Sequence, residues 1–284
     1  MKFPLQDKVV LITGASGGIG AACARALHAA GATVILTDVS QQAVDALAAS
    51  MGTDRVMAMA LDVTNRAGAD AVVAAAVRRF GGLDMVFANA GIACDPPATI
   101  ARINEQTFEH IIEVDLLGVW RTVRACLPQI MARKGHVLVT ASFYAYINGV
   151  LNAPYAMSKA GVEMFARALR AELAGTGATA GVLYPGWVST PIAKVAFGGH
   201  PIATRLVGMV FPWPLNKAIS PEAVAQRVVD GVQRRAARIT VPGRWVPLSY
   251  LRGFINAASD RKLDGDTKIH ALIRQVEQEV TPPR

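Results

Sequence analysis

The sequence predicts an α/β fold, a doubly wound parallel sheet with helices on both faces, and three observations carry that expectation. Short apolar runs alternate with Ala-rich stretches of helical length through most of the chain. The runs are apolar at consecutive positions rather than at alternate ones, as strands covered on both faces are. No internal repeat or low-complexity linker divides the 284 residues. They are therefore read as a single domain, a size one large core can fill.

The elements follow in order. Runs 9–12, 33–36, 56–59, 85–88, 137–139 and 180–183 are candidate strands, and 19–30, 41–50, 66–80, 104–133 and 153–175 are candidate helices. Alternation of this kind implies right-handed crossovers. A last pair follows Ser220-Pro221-Glu222, which reads as a cap with proline at the first helical position. It comprises helix 221–237 and strand 238–241. Residues 191–220 and 244–284 are additions to this core, which spans 7–243.

Composition narrows the class. With 52% hydrophobic and 18% charged residues, the chain packs a core and is not disordered. Cys23, Cys94 and Cys126 are far apart and form no CxxC. With no secretory leader in view, they point to a reducing cytoplasm and inert buried thiols. No apolar run approaches the roughly 18 to 20 residues of a membrane-spanning helix. The five histidines are scattered, which gives a metal site no support. The net charge of +8 is uneven: residues 1–185 hold 15 Lys/Arg against 14 Asp/Glu, and 186–284 hold 14 against 7. That basic third reads as a solvated face, since it carries no nucleic-acid-binding module.

The first strand runs straight into Thr13-Gly14-Ala15-Ser16-Gly17-Gly18-Ile19-Gly20, and a helix starts near Ile19. Bare N–H groups and the positive end of the helix dipole at such a turn hold a pyrophosphate. Gly14 permits the turn, Gly18 the approach of phosphates, and Gly20 the close seat of helix on sheet. The spacing is GxxxGxG rather than GxGxxG, and strand-before, helix-after context is what gives it weight. Asp38 ends the second strand. A carboxylate there accepts hydrogen bonds from both adenosine ribose hydroxyls and repels a 2′-phosphate, which favours NAD over NADP. Asp62-Val63 and Asn89-Ala90-Gly91 end the third and fourth strands, at the edge where open α/β sheets bind ligands.

Tyr155 and Lys159 project from one face of helix 153–175. A cation beside a phenol stabilises the phenolate and lowers its pKa from about 10. Tyr155 is then able to exchange a proton with an alcohol or carbonyl oxygen near neutral pH. Ser142, after the fifth strand, is placed to hold the same oxygen.

These motifs, in this order and together with Pro185-Gly186, resemble those of the short-chain dehydrogenase/reductase family over about residues 7–243. The resemblance implies a seven-stranded Rossmann-type domain with Tyr155 as general acid/base. It also implies that Lys159 binds the nicotinamide ribose and depresses the tyrosine pKa, while Ser142 polarises the substrate oxygen. Val188 and Thr190 match positions that hold the carboxamide, and Asn89 and Gly91 flank the adenosine side. Assembly as a homodimer or homotetramer through helices 104–133 and 153–175 is implied as well. One position departs from the pattern. Where the family usually has asparagine in a Val-Asn-x-x-Gly stretch, this chain reads Val114-Asp115-Leu116-Leu117-Gly118. An aspartate there keeps the geometry, and its charge is expected to raise the Lys159 pKa.

Segment 191–220 stands where the family carries a substrate lid. Its apolar residues include Ile192, Val195, Phe197, Ile202, Leu206, Val207, Met209, Val210, Phe211, Trp213 and Leu215. Ile202, Leu206, Met209 and Val210 recur at helical spacing before Pro212. The stripe either packs on the core or walls a pocket for a lipophilic alcohol or ketone. With the basic final third it also offers peripheral contact with an anionic membrane. The tail repeats helical spacing at Ile269, Leu272, Ile273 and Val276, to fold over the domain or against a neighbouring subunit. The sequence thus reads as an NAD(H)-dependent dehydrogenase of apolar alcohols or ketones. The alternatives are an NADP-dependent carbonyl reductase and a nucleotide-binding regulatory protein with a weakened site.

Overall fold

A computed structural model describes residues 2–52, 54–190, 193, 200–210 and 213–279. Seven parallel strands form one sheet in the order β3-β2-β1-β4-β5-β6-β7. They are β1 (Val9–Thr13), β2 (Thr33–Asp38), β3 (Val56–Ala60), β4 (Met85–Ala88), β5 (His136–Thr140), β6 (Thr179–Pro185) and β7 (Arg238–Val241). This is the doubly wound Rossmann-type sheet expected from the alternating runs.

Strand β1 shows why those runs are continuous. Val9 and Leu11 enter the core on one face of the sheet, while Val10 and Ile12 enter the core on the other. The first face is covered by α3 (Arg66–Phe80), α5 (Gly118–Ala132) and α6 (Ala153–Glu172), through residues such as Val72, Val123 and Val162. The second is covered by α1 (Gly18–Ala29), α2 (Gln41–Met51) and α8 (Pro221–Gln233), through Leu27, Val44 and Val228. Burial of side chains of this size contributes about 1.5–3 kcal/mol each. Ser40, Asn65 and Ser220 cap α2, α3 and α8 with side-chain oxygens. The Ser220-Pro221 start stands as expected, but α8 ends at Gln233, because Arg235 takes a left-handed turn with φ 52°.

The expected single helix 104–133 is three pieces. Helix α4 (Glu105–Ile112) passes into a π-helical turn, Glu113–Leu117, and then into α5. Asp115 sits in the middle of that turn. Helix α6 likewise stops at Glu172, before the left-handed Gly175 and Gly177. The three cysteines are buried, and burial holds every thiol above its ordinary range, Cys94 at about 11. Among the described residues no helix is long and apolar enough to cross a membrane.

The additions pack on this core. Helix α7 (Pro201–Val210), α9 (Val246–Gly265) and α10 (Thr267–Glu279) share a separate apolar cluster of Leu151, Leu206, Leu263, Ile269, Leu272 and Val276. The tail therefore folds back over its own chain, as one of its two expected placements had it. Tyr250, Leu251 and Phe254 are the exceptions and stay exposed. Of the proposed lid residues, Ile192, Val195, Phe197 and Phe211 lie outside the described residues, as does Pro212.

Asp84, fully buried at the foot of β4, ties three elements together. It accepts from the Val9 amide at 3.0 Å, from Arg133 at 3.1 and 3.2 Å, and from Lys8 at 3.2 Å. Burial alone would raise its pKa, but these partners outweigh burial and hold it below the usual carboxylate range. The stability this carboxylate contributes is present above about pH 4, its unfolded pKa, and is lost as pH falls through the folded value. Asp84→Asn should therefore lose about 3 kcal/mol at pH 7, as when one partner of a buried ion pair is removed. Urea unfolding should show the gap from wild type narrowing as the pH is lowered from 6 to 3.

Candidate active site

The strand order reverses between β1 and β4: the chain moves outward from β1 through β2 to β3 and then returns to β4. Loops leaving β1 and β4 diverge there, and a cleft of about 500 Å³ opens above them. Every site residue expected from the sequence lines this cleft except Asp115, which lies immediately behind it.

The glycine-rich loop is held open by its neighbours. Gly14 is left-handed, with φ 62°, and a Cβ there would stand 2.8 Å from the Cα of Ala90. A Cβ on Gly20 would meet the Gly14 carbonyl oxygen at 2.0 Å, so only glycine lets α1 start against the loop. No side chain caps α1 and no acidic residue occupies its first turn. Its leading N–H groups are left for an anion. Asn89 braces the loop from below: its amide donates to the carbonyls of Thr13 and Gly14, and its oxygen accepts from Thr140. Thr13 Oγ1 accepts from the amides of Asn89 and Ala90. Asn89 thus positions the cleft as well as lining it.

At the adenosine end, Asp38 accepts from the amide and the hydroxyl of Ser16, at 3.1 and 2.5 Å, and from the Val39 amide at 2.8 Å. The carboxylate is thereby fixed at the rim, and the adjacent Val39 side chain supplies no cation. Asp62 accepts from the Thr64 amide and hydroxyl, and the hydroxyl bond is the largest of the influences holding its pKa low. Val63 packs beneath it, in the core. At the far end, the Gly186 amide bonds to Val241 O, and Val188 bridges to Ile219. Thr190 lies against Gly18, where a Cβ would come within 2.7 Å of its methyl. The glycine-lined loop, the uncapped N–H donors at the start of α1 and the Asp38 carboxylate, all lining one cleft, fit a dinucleotide.

Ser142, Tyr155 and Lys159 converge between these ends. Ser142 follows β5 and is buried, its hydroxyl accepts from the Tyr144 amide at 3.2 Å, and its presence beside Tyr155 favours the phenolate. Lys159 Nζ lies 5.2 Å from the Tyr155 ring centre and 2.9 Å from Asp115 Oδ2. Lys159 and Asp115 are both buried, and Asp115 Oδ1 accepts from the Ile92 amide at 2.7 Å. The close packing reaches Gly91, where a Cβ would sit 3.0 Å from Lys159 Nζ.

The electrostatics correct one expectation. Lys159 does favour the Tyr155 phenolate, but burial of the hydroxyl outweighs it, and the Asp115 charge adds to burial. The Tyr155 pKa is therefore raised, not lowered, in the protein alone. Burial disfavours the Lys159 ammonium, yet attraction to Asp115 and Tyr155 prevails and raises its pKa. That direction was expected from the aspartate. Burial in turn raises Asp115, with Lys159 and the Ile92 amide only partly offsetting it.

The sequence did not point to the aromatic side of the cleft. Phe143, Tyr144 and Trp187 line it, as do Ile92, Val114 and His110. Tyr144 meets Tyr155 edge-on at 5.7 Å, and Phe143 meets Trp187 at 4.9 Å. The pair Phe143-Tyr144 directly after Ser142 was the one available signal. The α7 stripe does not line the cleft among the described residues; Ile202, Leu206, Met209 and Val210 pack with the tail. No three His, Cys, Asp or Glu side chains group as metal ligands among the described residues.

Comparison with known proteins places this geometry. A model of the family described as short chain dehydrogenase matches residues 8–198. The 3-oxoacyl-(acyl-carrier-protein) reductase of Vibrio cholerae is 33% identical over 237 residues, 83% of this chain and 94% of that protein. Momilactone A synthase of Oryza sativa is 34% identical over 195 residues, 68% of this chain and 71% of the relative. The solved structure of a Brucella melitensis 3-ketoacyl-(acyl-carrier-protein) reductase complexed with NADH superposes with a TM-score of 0.75 at 26% identity, covering 84% of this chain and 99% of that one. A Burkholderia phymatum short-chain dehydrogenase/reductase solved with NAD, 21% identical, shares the fold over 99% of this chain and 98% of its own, with a TM-score of 0.78. The chain belongs to the short-chain dehydrogenase family, as an NAD(P)-dependent oxidoreductase acting on CH–OH and C=O groups.

Proposed function

We propose that the protein is an NAD(H)-dependent dehydrogenase that interconverts an apolar alcohol and its carbonyl compound, with Tyr155 moving the proton. The observation that carries this reading is the convergence of Ser142, Tyr155 and the buried Lys159 at one point of the cleft. A bound nicotinamide supplies the hydride donor or acceptor. Ser142 and Tyr155 hold the reacting oxygen between their hydroxyls, and Tyr155 Oη gives it a proton in reduction or takes one in oxidation. Lys159 stabilises the phenolate and is placed for the nicotinamide ribose. Tyr155→Phe should lower kcat by about 100- to 10,000-fold while the NADH Kd, read by fluorescence titration, changes less than threefold.

Asp115 sets the pH at which this relay works. Its charge favours the neutral phenol, and its ion pair claims part of the Lys159 charge. Alcohol oxidation needs the phenolate, so its rate rises as pH passes the Tyr155 pKa. Asp115→Asn should move that rise to lower pH, with activity at pH 7 changing by less than a hundredfold. A pH–rate profile of kcat/KM for the two proteins checks the direction.

The preference for NAD rests on the fixed Asp38 carboxylate at the rim, beside Val39. A 2′-phosphate brought there would face a negative charge, and among the described lining residues no Lys or Arg stands beside Asp38 to offset it, a cost of more than about 1 kcal/mol or about tenfold in affinity. Asp38→Ala should weaken NAD binding and narrow the ratio of NADP to NAD dissociation constants by at least tenfold in calorimetric titrations. The apolar substrate class rests on Phe143, Tyr144, Trp187 and Ile92, which give the substrate side apolar walls with few polar groups besides the reacting ones.

A further inference from the structure

Among the described residues the C-terminal helices do not line the cleft, yet they hold two loops that border its substrate half and the helix α7, making three separate segments. The first is the loop after β4, where Thr99 Oγ1 donates to Glu277 Oε1 at 3.0 Å. The second is the loop after Ser142, where Asn148 Nδ2 donates to Asp260 Oδ1 at 3.1 Å and Leu151 is buried in the apolar cluster of the tail. The third is α7, where Lys262 Nζ donates to the Met209 carbonyl at 2.9 Å and Leu206 enters the same cluster. The Ala98 amide bonds to Leu151 O, which joins the first segment to the second.

The two loops lead to the reacting groups within a few residues, and α7 packs against the same core. The loop after β4 carries Cys94 and Ala98, which pack with Ile92 and Tyr155. Leu151 precedes Asn152, which lines the cleft and starts the helix bearing Tyr155. Val210 of α7 packs both on the tail cluster and on the core that contains Phe143, Tyr144 and Trp187. Packed interiors transmit displacement because they have few voids to absorb it. Loops without regular structure are otherwise the least stable parts of a fold. Here two such loops and the helix α7 are fastened to one helical hairpin, itself closed by a hydrogen bond between His270 Nε2 and Leu263 O.

We propose that the α9–α10 hairpin determines substrate selectivity by fixing the outer wall of the substrate half, without contributing to cofactor binding. The hairpin residues Leu263, Ile269, Leu272 and Val276 are positioning residues, acting through Leu151 and Leu206. This rests on the dehydrogenase reading above, and the experiment separates the two. Leu272→Ala combined with Val276→Ala removes two of the buried anchors; Lys262→Ala with Glu277→Ala removes polar ties and leaves the cluster intact, should the first variant not fold. Hydrogen exchange, the NADH Kd and kcat/KM for a series of 2-alkanols of increasing length are measured for each against wild type. Exchange in segments 92–99 and 148–152 should quicken at least tenfold, and the ratio of kcat/KM between the longest and shortest alcohols should fall at least fivefold. The NADH Kd should stay within twofold. Faster exchange confined to α10 overturns the proposal, as does an unchanged preference for chain length or a cofactor affinity that falls in parallel. A wild-type protein that binds NADH but turns over no alcohol or ketone overturns instead the dehydrogenase reading.

Discussion

A parallel sheet whose strand order reverses must part its loops at the reversal, and the rest of this molecule depends on that constraint. The chain builds β1 to β3 in one direction and β4 to β7 in the other. Loops after β1 and β4 therefore leave their strands on opposite sides, and nothing in the sheet fills the gap. The residues at its two lips are those that tolerate close backbone approach, Gly14, Gly20 and Gly91. Asn89 spends its side chain on β1 carbonyls instead of pointing outward. The cradle is thus rigid through backbone contacts, which suits a ligand bound through its phosphates.

A second constraint is electrostatic. Two opposite charges, Lys159 and Asp115, are buried 2.9 Å apart at the floor of the cleft. Removing one partner of such a pair leaves an uncompensated buried charge at a cost of about 3–5 kcal/mol. The π turn at Glu113–Leu117 brings Asp115 to the lysine. An extra residue in one turn rotates the helix beyond it, and the same turn leaves Asp115 Oδ1 facing the Ile92 amide next to Gly91. The ion pair therefore joins the α4–α5 boundary, the loop after β4 and helix α6. The aspartate of the pair also adds to burial, the larger effect, in keeping the Tyr155 pKa raised despite the neighbouring lysine.

These two constraints differ in how far the sequence discloses them. The sheet was legible because short, largely apolar runs at 9–12 and 33–36, alternating with Ala-rich stretches of helical length, read as strands covered on both faces, and both are. The glycine loop, Asp38, Ser142 and the Tyr155/Lys159 spacing were legible because each acts through a local requirement: a turn, a strand end, a helix face. The π turn was not, since the apolar spacing across 104–133 changes little when one turn widens. Neither was the Tyr155 environment, because its burial comes from segments distant in the chain, Tyr144 after β5 and Cys94 and Ala98 after β4 among them. The α7 stripe was ambiguous for a related reason. An apolar helix face reads the same whether a substrate or the tail covers it.

Segregation of the site into two halves follows from where each half takes its support. The half of the cleft beside the glycine-rich loop is lined by strand ends, whose positions the sheet hydrogen bonds fix. The half beside Ser142 and Tyr155 is lined by loops that the sheet leaves free, and these are held from outside. Trp245 shows how the two are joined: fully buried at the start of the tail, it stacks at 4.5 Å on Phe143 and fills the space that a side chain on Gly186 would need. Phe143 adjoins Ser142, and Gly186 belongs to the far end of the cofactor cleft. The tail is thereby anchored at the seam between the halves before it turns outward to the loops. Change within α9 and α10 is free to reshape the substrate wall, whereas change at Trp245 would disturb both halves together.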